Sequence, residues 1–243
     1  MNRSILSVAV LLCAGALFAQ EPEMGGAVSQ KYRVYRETPS KPVFGLSKIE
    51  ALIKKHKLNV DGDDSKLPDS VYKSLTTSER FTYHMLHGEA YAQNCDAMPV
   101  YADEEKRIWG FPPSAFNNER AWSEEQLKTI KANRKAFLPL VVKTMNTRQK
   151  LGCNLKQVII DLNAVELIPD LCAFYKKKRY DHDILSVLMI LMKEGKYEPF
   201  LKSQSFKKLY SEEASYQAFL VANRENQDLI MSRANDFYKQ TRK

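Results

Sequence analysis

Residues Ala136, Phe137, Leu138, Pro139, Leu140 and Val141 have counterparts in Glu166, Leu167, Ile168, Pro169, Asp170 and Leu171, and again in Lys196, Tyr197, Glu198, Pro199, Phe200 and Leu201. The three prolines are 30 residues apart, and a recurrence at fixed period is the first thing to read in a chain because it names the building unit. After each proline an apolar segment ends in basic or polar residues near Gln149, Arg179 and Lys208. Short turns follow at Gly152–Asn154, Tyr180–Asp183 and Ser211–Ala214. A second apolar segment closes each unit. It is carried by Leu155, Val158, Ile159 and Leu162, then Leu185, Leu188, Met189 and Met192, then Tyr216, Phe219 and Leu220.

Each unit therefore reads as helix, tight turn, helix, with proline near the start of the first helix, where a missing N–H costs nothing. Asn154, Asp181 or Asp183, and Ser211 stand where second helices need caps. With its proline, apolar first helix, Asp-containing turn and apolar second helix, the stretch Ile168 to Gly195 resembles HEAT-type repeats of the short, 30-residue variety. The likeness spans Phe137 to Asn226, and the third unit departs from it with Ser203, Gln204 and Ser205 mid-helix. It implies an α-solenoid of about three helix pairs, because such a unit cannot bury both apolar faces alone.

Working outward, the fold class is all-α: a helical N-terminal part over residues 44–122, then the repeats over 123–243. Ser47 to Glu50 has the pattern of a capping box on a helix reaching His56. Pro68 opens a short helix, and Thr76 with Glu79 starts a stronger one running to about Asn94. Asp61, Gly62, Asp63 and Asp64 lack the spacing of a calcium loop and read as a solvated loop. Residues 98–121 form an irregular loop, with Trp109, Phe111 and Phe116 expected to fold back onto the body.

Residues 1–19 read as a signal peptide. Arg3 supplies the positive start, and Ile5 to Phe18 is almost uninterrupted apolar and small. That run of roughly 14 residues is short for a hydrocarbon layer of about 30 Å, and no later segment is longer, so no membrane span is expected. Residues 20–43, with prolines, adjacent glycines and scattered charge, read as a flexible tether. Export leaves Cys95, Cys153 and Cys172 in a disulfide-permissive compartment. In the repeat frame Cys153 and Cys172 stand about 11 Å apart, beyond the roughly 7 Å a disulfide tolerates.

The chain carries a net charge of +8, and the excess lies after Lys128. Lys176, Lys177, Lys178 and Arg179 form the densest basic run and are the candidate partner-binding residues, suited to a protein or an anionic envelope polymer. The same run at a helix end also suits the macrodipole. Nucleic acid is not an expected partner, since no nucleic-acid-binding motif is present. His84 and His87 share a helical face and are the candidate metal ligands, without a predictable third. No catalytic set stands out, glycine-rich phosphate loops and nucleophile elbows are missing, and no cofactor is implied. Glu124 with Glu125, and Asp181 with Asp183, read as helix caps. The reading is an exported helical scaffold that binds another macromolecule through its solenoid surface. The alternative is a metal- or thiol-dependent enzyme centred on His84, His87 and Cys95.

Overall fold

A computed structural model describes residues 25–58, 65–93, 100–116 and 119–242. The signal-peptide reading, the Asp61 to Asp64 loop and Cys95 lie outside these residues. The described chain is predominantly helical, as expected, with no helix among the described residues long and apolar enough to cross a membrane. Its first half comprises α1 (Ala27–Glu37), α2 (Leu46–Lys55), α3 (Asp69–Ser74), α4 (Thr77–Leu86), β1 (Ala90–Tyr91), β2 (Arg107–Trp109), β3 (Arg120–Ala121) and α5 (Glu124–Ala132). The second half comprises α6 (Arg134–Arg148), α7 (Cys153–Asp161), α8 (Ile168–Lys178), α9 (Asp183–Glu194), α10 (Glu198–Leu201), α11 (Gln204–Tyr210), β4 (Phe219–Val221) and α12 (Arg224–Gln240). Single turns of 3₁₀ helix precede β2 (Glu104–Lys106) and α8 (Val165–Leu167).

Local signals place several of these ends. Thr76 and Glu79 form the capping box the sequence announces: Glu79 N donates to Thr76 Oγ1 at 3.3 Å and Thr76 N donates to Glu79 Oε2 at 2.9 Å. Ser47 does not cap α2, which begins one residue earlier behind Gly45 at φ 61°, a conformation favouring glycine. α4 stops at Leu86 rather than near Asn94, because the chain turns extended at His87 to pair β1 with β3. A Cβ at Gly88 would stand 2.5 Å from the Ala121 carbonyl oxygen, so this close approach requires glycine.

Two of the three proline units run as helix, turn, helix in sequence, α6 then α7 and α8 then α9, with α8 packed on α9 and α6 packed on α4 and α5. Pro169 lies in the first turn of α8 as expected. Pro139 does not head its helix; α6 starts five residues earlier at Arg134, whose guanidinium is tied to the Glu166 carboxylate and to the Leu162 carbonyl at 3.2 Å. The third pair is a correction. α10 is a single turn, Ser203 recaps the chain into α11 by accepting from Phe206 N at 3.2 Å, and Phe219 to Val221 is a strand instead of a helix. β4 pairs antiparallel with β2, Trp109 opposite Phe219 and Arg107 opposite Val221. Every residue of α9 from Asp183 to Met192 is buried, with α7, α8, α10, α12 and β2 packed around it. A helix apolar on all sides is a core rod, and α9 is the axis of the main core. A smaller cluster of Ile49, Ile53, Leu58, Leu67, Leu75 and Tyr83 sits beneath α2 to α4.

Residues 25–43 are not a flexible tether. α1 buries Ser29, Tyr32 and Arg36, three positions on one helical face. The segment after it is clamped by Asn154, which accepts from Ser40 N at 2.9 Å and donates to Ser40 O at 2.8 Å. Gly152 is required there, since a Cβ would stand 2.1 Å from Ser40 N. Of the three aromatics expected to fold back from the loop, Trp109 and Phe116 are buried, whereas Phe111 is 61% exposed.

Cys153 and Cys172 are both buried free thiols, in agreement with the spacing argument. Burial pushes each thiol up to about 11, so neither is a thiolate at neutral pH. A thiol reagent such as 5,5′-dithiobis(2-nitrobenzoate) should leave both untouched in the native protein. Both should react, within minutes, once the chain is unfolded in denaturant. A recovered peptide linking them would contradict the fold.

Candidate functional site

His84 and His87 do not converge on a metal. The His84 ring is sealed between helices, Nε2 at 2.9 Å from the Tyr72 hydroxyl and Nδ1 at 3.1 Å from the Gln126 side-chain amide. Since that amide nitrogen only donates, Nδ1 accepts and Nε2 carries the proton. His87, the residue after α4, turns Nε2 to the Ser65 carbonyl at 2.7 Å. Among the described residues no group of three His, Cys, Asp or Glu is placed to hold a metal ion. His84 instead binds α4 to α3 and α5, and His87 holds the chain after α4 to Ser65, ahead of α3. Burial holds His84 down at about 3, aided by Arg80 and His87, so it stays neutral.

The basic run forms the last turn of α8. Lys176, Lys177 and Lys178 are exposed, while Arg179, at φ 48°, turns inward and pairs with Asp228 of α12 at 2.8 Å and Gln227 at 3.1 Å. One of the four cations is thus already occupied within the fold.

Asp181 and Asp183 are not helix caps. They are buried, and they form the hub of a charge cluster that joins α1, α7, α9 and the turn before β2. Lys156 Nζ donates to Asp181 Oδ1 at 2.6 Å and Asp183 Oδ2 at 3.3 Å. Arg36 donates to Asp183 Oδ1 at 2.8 Å and to Glu104 Oε1 at 3.4 Å. Arg33 grips the buried Glu104 through Nε at 2.8 and 2.9 Å and through Nη2. Lys156, Arg36 and Arg33 thus face Asp181, Asp183 and Glu104, and Arg33 also pairs with Glu37 at 3.3 Å. Burial pushes the Asp181 carboxyl above the usual range despite Lys156. Burial acts on Asp183 too, but Arg36 and Lys156 outweigh it and hold it below.

Above this cluster opens a cleft of about 540 Å³. Its inner wall is Trp109 and Tyr101, with rings 5.6 Å apart, and its floor includes Arg36 and Glu104. Its outer wall is the turn after α11, where Tyr216 is 80% exposed, and the exposed Phe111, edge-on to Tyr210 at 5.4 Å, also lines it. β2 is fixed to the core: Ser186 donates to the Trp109 carbonyl at 2.6 Å, and Tyr210 donates to the Gly110 carbonyl at 2.6 Å. The Trp109 Nε1 and Tyr101 Oη atoms are buried without a hydrogen-bond partner among the described residues. Buried donors are nearly always paired, so two orphans on cleft-lining side chains mark a place to look for a ligand. Beside them Arg107 lies over the rings of Phe219 at 4.2 Å, Tyr101 at 5.3 Å and Trp109 at 5.5 Å.

Trp109 and Phe116 pack against the body as their sequence context implies, but the cleft is not legible there, because its walls come from segments a hundred residues apart. The one available signal was the density of aromatics between Tyr101 and Phe111. The chain matches no protein-family model, no curated protein and no solved structure.

Proposed function

We propose that the protein is an exported helical scaffold that binds another macromolecule, and that the cleft beside β2 is the recognition site. The observation that carries this reading is the pairing of exposed rings, Phe111 and Tyr216, with orphaned polar atoms on Trp109 and Tyr101 inside one concavity. A preformed apolar cleft with a few unsatisfied polar groups is how proteins present a binding site. Export rests on the residue 1–19 pattern, and the excess positive charge favours an anionic partner. In this reading the pairs α6/α7 and α8/α9 are a HEAT-like frame of two units that holds β2 and the 211–218 turn in place. No observation favours the metal- or thiol-dependent alternative, since both ring nitrogens of His84 are engaged within the fold.

The test is retention of the mature chain on the native envelope fraction. Replacing Phe111 and Tyr216 together by Ser should weaken retention about tenfold, as removal of two exposed contact rings does at binding hot spots. Replacing Lys176, Lys177 and Lys178 by Gln should change it less than about threefold, the scale of exposed charges at an interface rim. The opposite ranking would move the recognition site to the end of α8.

A further inference from the structure

We infer that the cleft beside β2 takes an anionic sugar chain, with pyranose faces on its aromatic rings and an acidic group on Arg107. The inference rests on the binding role proposed above and names the ligand class.

The lining selects for sugar over peptide. Its surfaces are flat rings, those of Tyr101, Trp109, Phe111, Tyr210 and Tyr216, and Leu209 is its one large aliphatic residue. Aliphatic peptide side chains seat best in closed aliphatic pockets, and proline-rich peptides in aromatic grooves, whereas the C–H face of a pyranose lies flat on an aromatic ring and its hydroxyls reach polar groups at the ring edges. Sugar hydroxyls both donate and accept, so they can serve an indole N–H and a phenol O–H that the fold leaves unpaired. Ser211, Ser215 and Gln217 add short polar groups along the outer wall.

The charge follows from which cations are already committed. Arg33 and Arg36 face Glu104 and Asp183 across the floor, and Lys193 pairs with its neighbour Glu194 at 2.7 Å. Arg107 does not itself line the cleft, but it has no carboxylate partner among the described residues and its guanidinium is held over three rings, two of which, Tyr101 and Trp109, do line it. Lys208, over Phe219 at 5.6 Å, is likewise without a carboxylate there. A guanidinium oriented by stacking at the edge of the cleft is a fork suited to a carboxylate or sulfate that extends past the rings.

Binding to the full mature chain is measured by calorimetry with hexamers of galacturonate, hyaluronan and chondroitin sulfate, beside maltohexaose and hexaglutamate. At least one acidic sugar should bind, with the uronates against the sulfated hexamer telling carboxylate from sulfate recognition. Maltohexaose should bind at least about tenfold more weakly, and hexaglutamate should not compete. Replacing Arg107 by Gln should weaken the acidic sugar about tenfold, the scale of one charge-assisted hydrogen bond, without shifting the far-ultraviolet circular dichroism. Replacing Lys177 by Gln should change nothing. Hexaglutamate binding as tightly as the sugars would overturn the inference in favour of an acidic peptide. So would equal affinity for maltohexaose, no effect of the Arg107 change, or no binding of any acidic sugar. If envelope retention still depends on Phe111 and Tyr216 in those cases, the binding role stands and the ligand class alone is wrong. If that dependence is missing as well, both fall.

Discussion

Replacing Asp183 by Asn should lower the free energy of unfolding by about 3–5 kcal/mol, the usual consequence of breaking a buried ion pair from one side. Asp183 is the anion shared by Arg36 and Lys156, and all three side chains are withdrawn from water. Without its charge three cations, Arg33, Arg36 and Lys156, face only two of these carboxylates, Asp181 and Glu104, and Arg36 keeps only its longer contact to Glu104. The loss concentrates on α1, whose buried face is otherwise Ser29 and Tyr32. Lys31 and Arg33 on that helix should then become sites of rapid trypsin cleavage under native conditions, which reports local release rather than global unfolding.

The comparison that tests the cause is the double change Lys156→Met with Asp181→Leu. It removes one charge of each sign from partners 2.6 Å apart and leaves the Arg36 to Asp183 pair standing. Replacing a balanced buried pair by apolar groups is often neutral, so this double variant should lose less than about 2 kcal/mol. Urea unfolding at constant m-value gives both numbers. A double variant as unstable as Asp183→Asn would mean that packing volume at this junction matters and charge balance does not.

The elements legible in the sequence are those set by neighbours within one helical turn. Thr76 and Glu79 are three residues apart, and Pro169 acts on its own helix, so both could be read directly. α1 escaped because its buried face carries Ser29, Tyr32 and Arg36. Polar side chains give no hydrophobic period, and the group that makes Arg36 buriable, Asp183, lies 147 residues away. Asp181 and Asp183 read as caps for the same reason: a carboxylate before a helix is locally ambiguous until its cation is placed. The third repeat failed where Phe219 and Leu220 exchanged a helical neighbour for β2, a pairing that only the folded chain brings about. The cleft is illegible as a whole, although Trp109, Phe111 and Tyr216 among its rings stand out in the sequence.

Acidification should destabilise the protein steeply below pH 6.5, and His84 should account for about 3 kcal/mol of the loss by pH 4.5. In the unfolded chain His84 takes up a proton as pH falls through its ordinary value of 6.5, whereas in the fold it stays neutral down to about 3. Proton uptake across that window therefore favours the unfolded state, and each pH unit is worth about 1.4 kcal/mol. The sealed site explains the size of the shift. Nδ1 faces an amide donor at 3.1 Å, so a second proton would leave two donors head to head, and Arg80 and His87 add positive charge nearby. His87 and His182 are lowered as well, by burial first, and act in the same sense. Glu37, Glu89 and Asp161, raised by burial, oppose it in their own range, because there the folded state binds the extra proton. His84→Gln isolates the histidine: Gln cannot titrate and retains a polar group toward Tyr72 and Gln126. The variant should be less stable than the parent at pH 7, and its unfolding free energy should fall about 3 kcal/mol less between pH 7 and pH 4.5. An unchanged pH slope in His84→Gln would show that the ring is open to solvent and that α4 does not close onto α5 as described.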